Sequence, residues 1–385
     1  MQGLARARAV LADRTKVARD AQQKGTRVLG YLSVQVPLEI LTAFDIAPFR
    51  IFGDIREPVT EADRGLPSAF CPYLRSVLDL ALKGRFGFLD GFVGSHACDA
   101  QEKTVRILPS LVEFPYTHYL DMPANIHESS IEYFRTQLLD FKDSLESLTG
   151  RTLSERRLLE AIGAHNDQRG LVRELYALNQ SDPPALTGRE MLEVITALQT
   201  LPVDEGNRLL REVLPEVKTR RERPASKSAR LLVWGGVLHD PVYIDAIEAA
   251  GANVVIDDLD EGTRPFTTDV AAEGDLFDHL ARKYLVGVYA ARTFRESVVG
   301  ETVKDHATDL QSRFGYLGRF IKDWKVDAVI LQAVRYCDPH GADVVDLTDY
   351  LESLGVPSTY VEHNYSEGAL APLRTRLEAF VETVS

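Results

Sequence analysis

The sequence predicts an α/β protein made of two doubly wound parallel-sheet domains with a helical segment between them. Its 385 residues are too many for one ordinary hydrophobic core and enough for two. Apolar strand-like runs, each followed by turn residues and a helix-like run, occur near both ends of the chain, as in parallel sheets. Between them, apolar residues repeat every three or four positions, as in helices. We place the boundaries at residues 1–125, 126–225 and 226–385.

The first predicted domain begins with a helix and the strand-like run Arg27–Leu32. A second apolar run, Phe86–Val93, leads through small and polar residues to Cys98, which is the strand, turn and helix order of a βα unit. A third run, Tyr116–Leu120, is followed by Pro123, which stops regular strand pairing. The first domain is therefore expected to end near residue 125, where the helical segment begins.

The middle segment is predicted to hold about four helices. It ends in the basic run Lys218–Arg230, which we interpret as a solvated linker. The alternation of strands and helices then returns, and Gly251 and Gly355 stand where helices of this second domain are expected to end. The predicted strands of this domain are Arg230–Trp234, Asn253–Ile256, Ala328–Leu331 and Ser358–Val361.

The charge and hydropathy of the chain exclude several classes of function. The formal net charge of −13 argues against nucleic-acid binding, which needs clustered Lys and Arg. No apolar run approaches the roughly 18–20 residues that span a bilayer, so we expect no membrane partner. The segment Met1–Ala21 is charged and lacks the apolar core of a secretory signal, which predicts a cytoplasmic protein.

The three cysteines, Cys71, Cys98 and Cys337, are an odd number at wide spacing, which excludes a disulfide framework. Cys98 and Cys337 follow predicted strands, and ligands of doubly wound sheets gather beyond the carboxyl ends of strands. Cys71 opens a helix, whose N-terminus favours a thiolate. We therefore expect the three thiols to meet in one interdomain crevice. Two alternatives stay open: cysteines that only fill the cores, and a zinc site with His96 or His340 as the fourth ligand.

The residues around the cysteines belong to a longer series of motifs. The series runs Val36-Pro37-Leu38-Glu39, Cys71-Pro72-Tyr73-Leu74-Arg75-Ser76, His96-Ala97-Cys98-Asp99, Leu120-Asp121-Met122-Pro123, Asp257-Asp258, Tyr336-Cys337-Asp338-Pro339 and Leu373-Arg374-Thr375-Arg376. With these motifs in this order, the chain resembles the D-component family of 2-hydroxyacyl-CoA dehydratases and ATP-dependent benzoyl-CoA reductases. The resemblance covers nearly the whole chain.

The resemblance implies two flavodoxin-like or Rossmann-like domains that clasp one [4Fe–4S] cluster. Three irons are then held by Cys71, Cys98 and Cys337, and the fourth has an open or non-cysteine position. The resemblance also implies three partners: a homologous iron–sulfur subunit, a separate ATP-hydrolysing iron–sulfur activator and an acyl-CoA substrate. The chain contains no GxxxxGK[ST] phosphate loop, so we expect it to bind no nucleotide itself.

The implied activity is delivery of low-potential single electrons to a CoA thioester through a ketyl-type radical anion. Arg outnumbers Lys in this chain, which suggests a GC-rich lineage and favours the benzoyl-CoA reductase branch, a dearomatising reduction of anaerobic aromatic degradation. One alternative is a subunit of an (R)-2-hydroxyacyl-CoA dehydratase, which forms a 2-enoyl-CoA by radical elimination of water. A second alternative is an electron-relay subunit that does not contact substrate.

Polar residues and glycines near predicted strand ends supply further candidates. The candidates for catalysis are His96, Asp99 and His340. The candidates for substrate binding are Gly235, Gly236, Glu362 and Arg374. The alternative for each polar residue is a surface or helix-capping role, and a tight turn would explain the two glycines equally well.

Overall fold

The computed structural model describes residues 2–295 and 305–385 and contains two four-stranded, all-parallel sheets. The strands are β1 (Val28–Tyr31), β2 (Ala47–Arg50), β3 (Gly91–Ser95), β4 (Thr117–Leu120), β5 (Ala229–Gly235), β6 (Ala252–Asp258), β7 (Ala328–Val334) and β8 (Ser358–His363). The strand orders are β2-β1-β3-β4 and β6-β5-β7-β8. Both sheets thus have the 2-1-3-4 order of doubly wound, flavodoxin-like folds, and the predicted fold class is confirmed.

Helices cover both faces of each sheet. In the described ranges they are α1 (Gly3–Ala12), α2 (Arg14–Gln23), α3 (Leu38–Ala43), α4 (Pro72–Leu82), α5 (Asp99–Leu111), α6 (Glu128–Thr149), α7 (Glu155–Ala177), α8 (Gly188–Leu198), α9 (Val203–Thr219), α10 (Pro241–Ala249), α11 (Leu276–Arg282), α12 (His306–Asp323), α13 (Asp338–Ser353) and α14 (Leu370–Val384). None of these helices combines the length and apolar composition needed to cross a membrane.

Two strands differ from the expectation. The strand predicted over Phe86–Val93 begins only at Gly91, because the residues before it form a chain of turns after α4. Strand β2 was missed, since Pro48 lies in its middle. Proline is tolerated there because β2 is an edge strand, in which half of the backbone amides have no strand to bond.

The two sheets share one hydrophobic core. Side chains alternate across each strand, so Val28 of β1 faces the same core as Leu231 and Val233 of β5. Their neighbours point the other way: Leu29 of β1 and Leu232 of β5 join two separate outer cores. The inner faces of both sheets are thus buried in a continuous apolar layer that contains α4, α5, α10 and α14, which fixes the two sheets against each other.

The helical segment is divided between the two sheets. Helix α6 and the first half of α7 pack with α3 and α11 on the outer face of the first sheet, and Val172, Leu175 and Tyr176 of α7 join the outer core of the second sheet. Helices α8 and α9 pack with α1 on the outer face of the second sheet. The start of α8 is specified locally, because Thr187 and Glu190 form a reciprocal capping box. The helices between the expected boundaries at residues 125 and 225 therefore pack on the sheets on either side and do not form a separate unit.

A buried ion pair joins the first sheet to the helical segment. The Glu39 carboxylate on α3 has no exposed surface and accepts a hydrogen bond from the Arg169 guanidinium on α7. The Tyr284 hydroxyl donates to its other oxygen at 2.7 Å. Burial raises the pKa of Glu39, but Arg169 and the two hydrogen bonds outweigh it and lower the pKa to about 2. The carboxylate is therefore charged at neutral pH and fully paired.

Candidate functional site

Each of the three cysteines stands immediately before a helix. Cys71 is the N-cap residue of α4, Cys98 that of α5 and Cys337 that of α13. Pro72 and Pro339 occupy the first turns of α4 and α13, where a missing amide hydrogen is harmless. At two of the three positions, a proline in the first helical turn therefore favours a helix start directly after the cysteine.

The cysteines line one cavity of about 70 Å³ between the two sheets. Gln35, Cys98, Gly236 and Cys337 all line it, and they follow β1, β3, β5 and β7, the two central strands of each sheet. Cys71 reaches the same cavity from the start of α4. The cavity therefore lies in the crevice beyond the carboxyl ends of both sheets, at the point where the strand order reverses. The structure brings the three thiols together as expected.

The same placement recurs in the two sheets. Cys98 is three residues beyond the last residue of β3, and Cys337 is three residues beyond the last residue of β7. These strands are third along the chain in their own sheets. Cys71 has no counterpart, since the equivalent connection of the second sheet carries no cysteine. The cavity is thus built symmetrically by two thiols and completed by a third.

Helix α5 carries Cys98 close against β3. An added Cβ at Gly94 of β3 would lie 2.3 Å from a Val105 side-chain carbon on α5, so only glycine allows this approach. The Gln101 amide hydrogen of α5 is donated to the Cys98 sulfur at 3.3 Å, and the Gln101 side chain donates to the Ser95 carbonyl at 2.9 Å. The sulfur position is therefore set by both the strand and the helix.

The surroundings of the three cysteines disfavour the thiolate form unless a positively charged group lies beside the sulfurs. Burial raises the pKa of the Cys71 thiol to about 11 and that of Cys98 to about 12, and raises the pKa of Cys337 further. The Cys71 sulfur also raises the pKa of the other two thiols in the cavity. Three helix N-termini and the Arg292 side chain provide positive potential at the cavity wall. A bound metal centre would supply the remaining positive charge.

A chain of hydrogen bonds leads from Cys337 through His340 to buried charged residues after β6. The Cys337 sulfur lies 3.3 Å from His340 Nδ1, and His340 Nε2 lies 3.1 Å from an Arg264 nitrogen. Arg264 is buried and bonded to Asp260 at 2.7 Å and to Asp258 at 3.1 Å. Burial, with Arg264 beside it, lowers the pKa of His340 to about 4, so the imidazole is neutral at pH 7.

The two glycines expected to bind substrate have packing roles. Gly235 has φ +154°, and an added Cβ would lie 2.1 Å from the Gln332 carbonyl oxygen. An added Cβ at Gly236 would lie 3.2 Å from His340 Cε1, so Gly236 leaves room for the imidazole. Gly236 lines the cavity. Close approach therefore accounts for both residues.

Two of the residues expected to take part in catalysis lie beside the cavity without lining it. His96 bonds Asp121 at 3.2 Å through Nδ1 and Asp99 at 3.4 Å through Nε2. The Asp99 side chain is 92% exposed. Of the three candidates for catalysis, only His340 reaches the cavity wall.

Glu362 and Arg374 are not brought to the cavity. Glu362 on β8 pairs with Arg335 at 3.0 Å on the surface, and Arg374 lies on the exposed face of α14. The reason is the sheet order: β8 is an outer strand, so its carboxyl end lies away from the central crevice.

Sequence reasoning missed several residues of the cavity wall. Gln35 follows β1 as Cys98 follows β3, so the same strand-end rule would have found it. Its buried side-chain oxygen has no hydrogen-bond partner among the described residues. Arg292 and Asp260 also line the cavity. Arg292 lies in an irregular stretch and is anchored by the Met122 carbonyl at 2.8 Å, a contact that no sequence pattern signals.

The donor set fits a cluster better than a single ion. In residues 2–295 and 305–385, no three His, Cys, Asp or Glu side chains converge closely enough to hold one metal ion, which gives the zinc alternative no support. An iron–sulfur cluster instead binds each thiolate through a different iron, so its ligands surround a cavity. Three thiols that line one cavity, together with an unpartnered amide oxygen of a lining residue, match that requirement.

Comparison with known proteins places the chain in a family. The model of the 2-hydroxyglutaryl-CoA dehydratase D-component matches residues 33–384. The chain is 26% identical to a benzoyl-CoA reductase subunit of Thauera aromatica, over 93% of this chain and 91% of that protein. It is 22% identical to the (R)-phenyllactyl-CoA dehydratase beta subunit of Clostridium sporogenes, over 96% and 94%.

A third relative extends the range of reactions. The chain is 21% identical to the (R)-2-hydroxyglutaryl-CoA dehydratase beta subunit of Acidaminococcus fermentans, over 94% of this chain and 93% of that protein. These relatives are subunits of enzymes that reduce or dehydrate CoA thioesters. With a family model that spans nearly all of its length and three thiols gathered at one cavity, the chain belongs to the 2-hydroxyglutaryl-CoA dehydratase D-component family.

Proposed function

We propose that this chain is the [4Fe–4S] subunit of an ATP-dependent benzoyl-CoA reductase and delivers low-potential single electrons to an aromatic CoA thioester. The observation that carries the proposal is the convergence of Cys71, Cys98 and Cys337 on one cavity, each at a helix N-terminus. The relative named as a benzoyl-CoA reductase subunit supports the choice of substrate class.

The three cysteines would hold three irons of the cluster. When bound, the cluster supplies one-electron redox chemistry and an iron that lacks a protein thiolate. Gln35 lines this cavity and has a buried amide oxygen without a hydrogen-bond partner among the described residues, so we assign it the role of orienting a group there. The three helix N-termini and Arg292 offset the negative charge that thiolate ligands bring.

The cavity wall is suited to keeping water away from radical chemistry. Apolar side chains fill the gaps between the sulfurs, namely those of Leu74, Ala97, Val237, Ala290, Ala291 and Val334. A mostly apolar wall reduces the access of water to a reactive radical anion. The shared inner core behind these residues holds the enclosure in one shape.

A dehydratase subunit is the second candidate function. It is supported by the relatives named as (R)-2-hydroxyacyl-CoA dehydratase subunits, which match as much of the chain as the reductase subunit does. A subunit that only relays electrons to a homologous partner would use the same cavity without contacting substrate. All three candidates require the cluster, the homologous subunit and a separate ATP-hydrolysing activator.

The first experiment measures iron and acid-labile sulfide in protein isolated without oxygen. We expect about four of each per chain, because that is the composition of one [4Fe–4S] cluster. Cys71→Ser, Cys98→Ser and Cys337→Ser should each lower the iron content, whereas Ser110→Ala on the exposed side of α5 should not. Iron-free protein, or variants with unchanged iron, would contradict the assignment.

The second experiment separates the branches. The complex, isolated anaerobically with its partner subunit and activator, is given benzoyl-CoA or a 2-hydroxyacyl-CoA in single turnover with ATP. Formation of a dearomatised thioester supports the reductase assignment. Formation of a 2-enoyl-CoA with no conversion of benzoyl-CoA replaces it by the dehydratase. A change in the cluster's EPR spectrum on adding thioester distinguishes direct contact from relay.

A further inference from the structure

We propose that His340 is a positioning residue that donates an N–H···S hydrogen bond to the Cys337 thiolate, with its tautomer fixed by Arg264. The inference rests on the proposed function in one respect, that Cys337 holds an iron of the cluster. The observations that carry it are two side-chain contacts of the imidazole, Nδ1 with the Cys337 sulfur and Nε2 with Arg264; the ring also contacts the Gly235 backbone.

The tautomer follows from the chemistry of arginine. A guanidinium has only N–H donors and keeps its protons at all relevant pH values. Because Arg264 lies 3.1 Å from His340 Nε2, that ring nitrogen has to accept the hydrogen bond. In a neutral imidazole the other nitrogen then carries the proton. Nδ1 is the nitrogen that lies 3.3 Å from the Cys337 sulfur, so its proton is directed at the sulfur.

Arg264 is itself held firmly. Its side chain is 1% exposed and is bonded by the carboxylates of Asp258 and Asp260. The Tyr316 hydroxyl donates to the same Asp258 oxygen at 2.7 Å. These acids come from the end of β6 and the loop after it, whereas His340 is in the first turn of α13. The arrangement fixes the guanidinium before any metal is bound.

Packing fixes the plane of the imidazole. Trp234 meets the ring of His340 edge-on, with ring centroids 5.1 Å apart and planes at 65°. Gly236 also lies against the ring, where an added Cβ would stand 3.2 Å from Cε1. The imidazole cannot turn away from Cys337 without displacing one of these neighbours, so the N–H is preorganised.

A hydrogen bond to a cluster sulfur stabilises the more negative, reduced state, because it spreads charge from the thiolate. The chain would therefore hold its cluster at a higher reduction potential than an otherwise identical site without the donor. Cys71 and Cys98 have no imidazole in this position among the described residues.

The first test needs no cluster. In metal-free protein labelled with ¹⁵N-histidine, long-range ¹H–¹⁵N correlation spectra show which nitrogen of His340 carries the proton, with the signal assigned by its loss in His340→Asn. We expect the Nδ1–H form. The Nε2–H form at His340 would overturn the proposal. This result is independent of whether the chain binds iron.

The second test uses the anaerobically isolated complex and an EPR-monitored redox titration. His340→Leu removes the donor and should shift the midpoint potential to more negative values, and an exchangeable-proton coupling to the reduced cluster should disappear. His340→Asn places an amide N–H near the position of Nδ1 and should restore much of the potential. His118→Leu, which removes a partly buried imidazole on β4 that does not line the cavity, should leave it unchanged.

The outcomes separate the two proposals. Equal potentials in wild type, His340→Leu and His340→Asn would overturn the role of His340 and leave the cluster assignment intact. A chain without iron would overturn the proposed function. In that case the tautomer measurement alone decides whether Arg264 sets the imidazole as inferred.

Discussion

Replacing Glu39 by glutamine is expected to leave Arg169 charged and buried without a counter-charge. Glutamine keeps the shape of the side chain, so the change removes mainly the negative charge. The lowering of the Glu39 pKa from 4.5 to about 2 corresponds to about 3 kcal/mol of folding free energy. Removing one partner from a buried pair generally costs about 3–5 kcal/mol, which agrees. We therefore expect Glu39→Gln to lose about 3 kcal/mol at pH 7.

The assay is equilibrium urea unfolding followed by circular dichroism. Glu160→Gln is the matched control, since Glu160 pairs with Arg156 at the surface, where both side chains are more than half exposed. Such a pair contributes about 0.5 kcal/mol or less. The double variant Glu39→Gln/Arg169→Met should recover much of the loss, because no unpaired charge stays buried. Equal losses for Glu39→Gln and Glu160→Gln would refute the reasoning.

The same pair gives a pH dependence with a defined sign. The pKa of Glu39 is lower in the folded chain than in the unfolded chain, so its contribution is fully present above pH 4.5. It is lost as the pH falls from 4.5 to about 2. The difference in unfolding free energy between wild type and Glu39→Gln should therefore shrink over that interval. A difference that is constant from pH 7 to pH 2 would contradict the assignment of charge.

Three further outcomes are expected. Gly94→Ala should cost about 1–3 kcal/mol of unfolding free energy through overpacking, and adding Val105→Ala should give a double variant that loses less than the two single losses together. Burial lowers the pKa of Lys283 to about 7 in the folded chain. The charged ammonium therefore destabilises the fold by its full amount below pH 7 and no longer does so above pH 10.5. Lys283→Met should raise the unfolding free energy by about 3–4 kcal/mol at pH 6, net of the lost hydrogen bond to Thr268, and should give no gain at pH 10.5. Native metal-free protein should react only slowly with a disulfide reagent at pH 7, because burial raises the pKa of all three thiols, whereas the same protein unfolded in urea should titrate three thiols per chain; three fast-reacting thiols in the native protein would contradict the burial.

The parts of the fold that could be predicted are those with local periodicity. The strands around Leu231 and Ile330 are apolar runs between helices and were placed within a few residues of their true ends. Strand β2 was not predicted, because an edge strand tolerates a proline that a central strand excludes. The sequence also does not predict which sheet each helix of the middle segment packs on, since the apolar face of a helix carries no information about its partner.

The candidate site was predictable where strand ends meet and unpredictable elsewhere. Cys98 and Cys337 could be placed at one crevice because both follow central strands. The same rule failed to bring Glu362 to the cavity, because its strand is the outermost of its sheet. The sequence does not single out Arg264, since its role depends on contact with His340, which lies 76 residues further along the chain.

The cavity lies between the two sheets, so binding of a ligand there is coupled to the packing of the N-terminal half of the chain against the C-terminal half. The first half contributes two thiols and the second half contributes one, so neither can assemble the full set alone. A ligand that binds all three thiols therefore stabilises the state in which the two sheets are packed together, because separating the sheets breaks its contacts with at least one thiol. Removal of a ligand bound by all three thiols should weaken the packing between the two sheets before it disturbs the structure within either sheet.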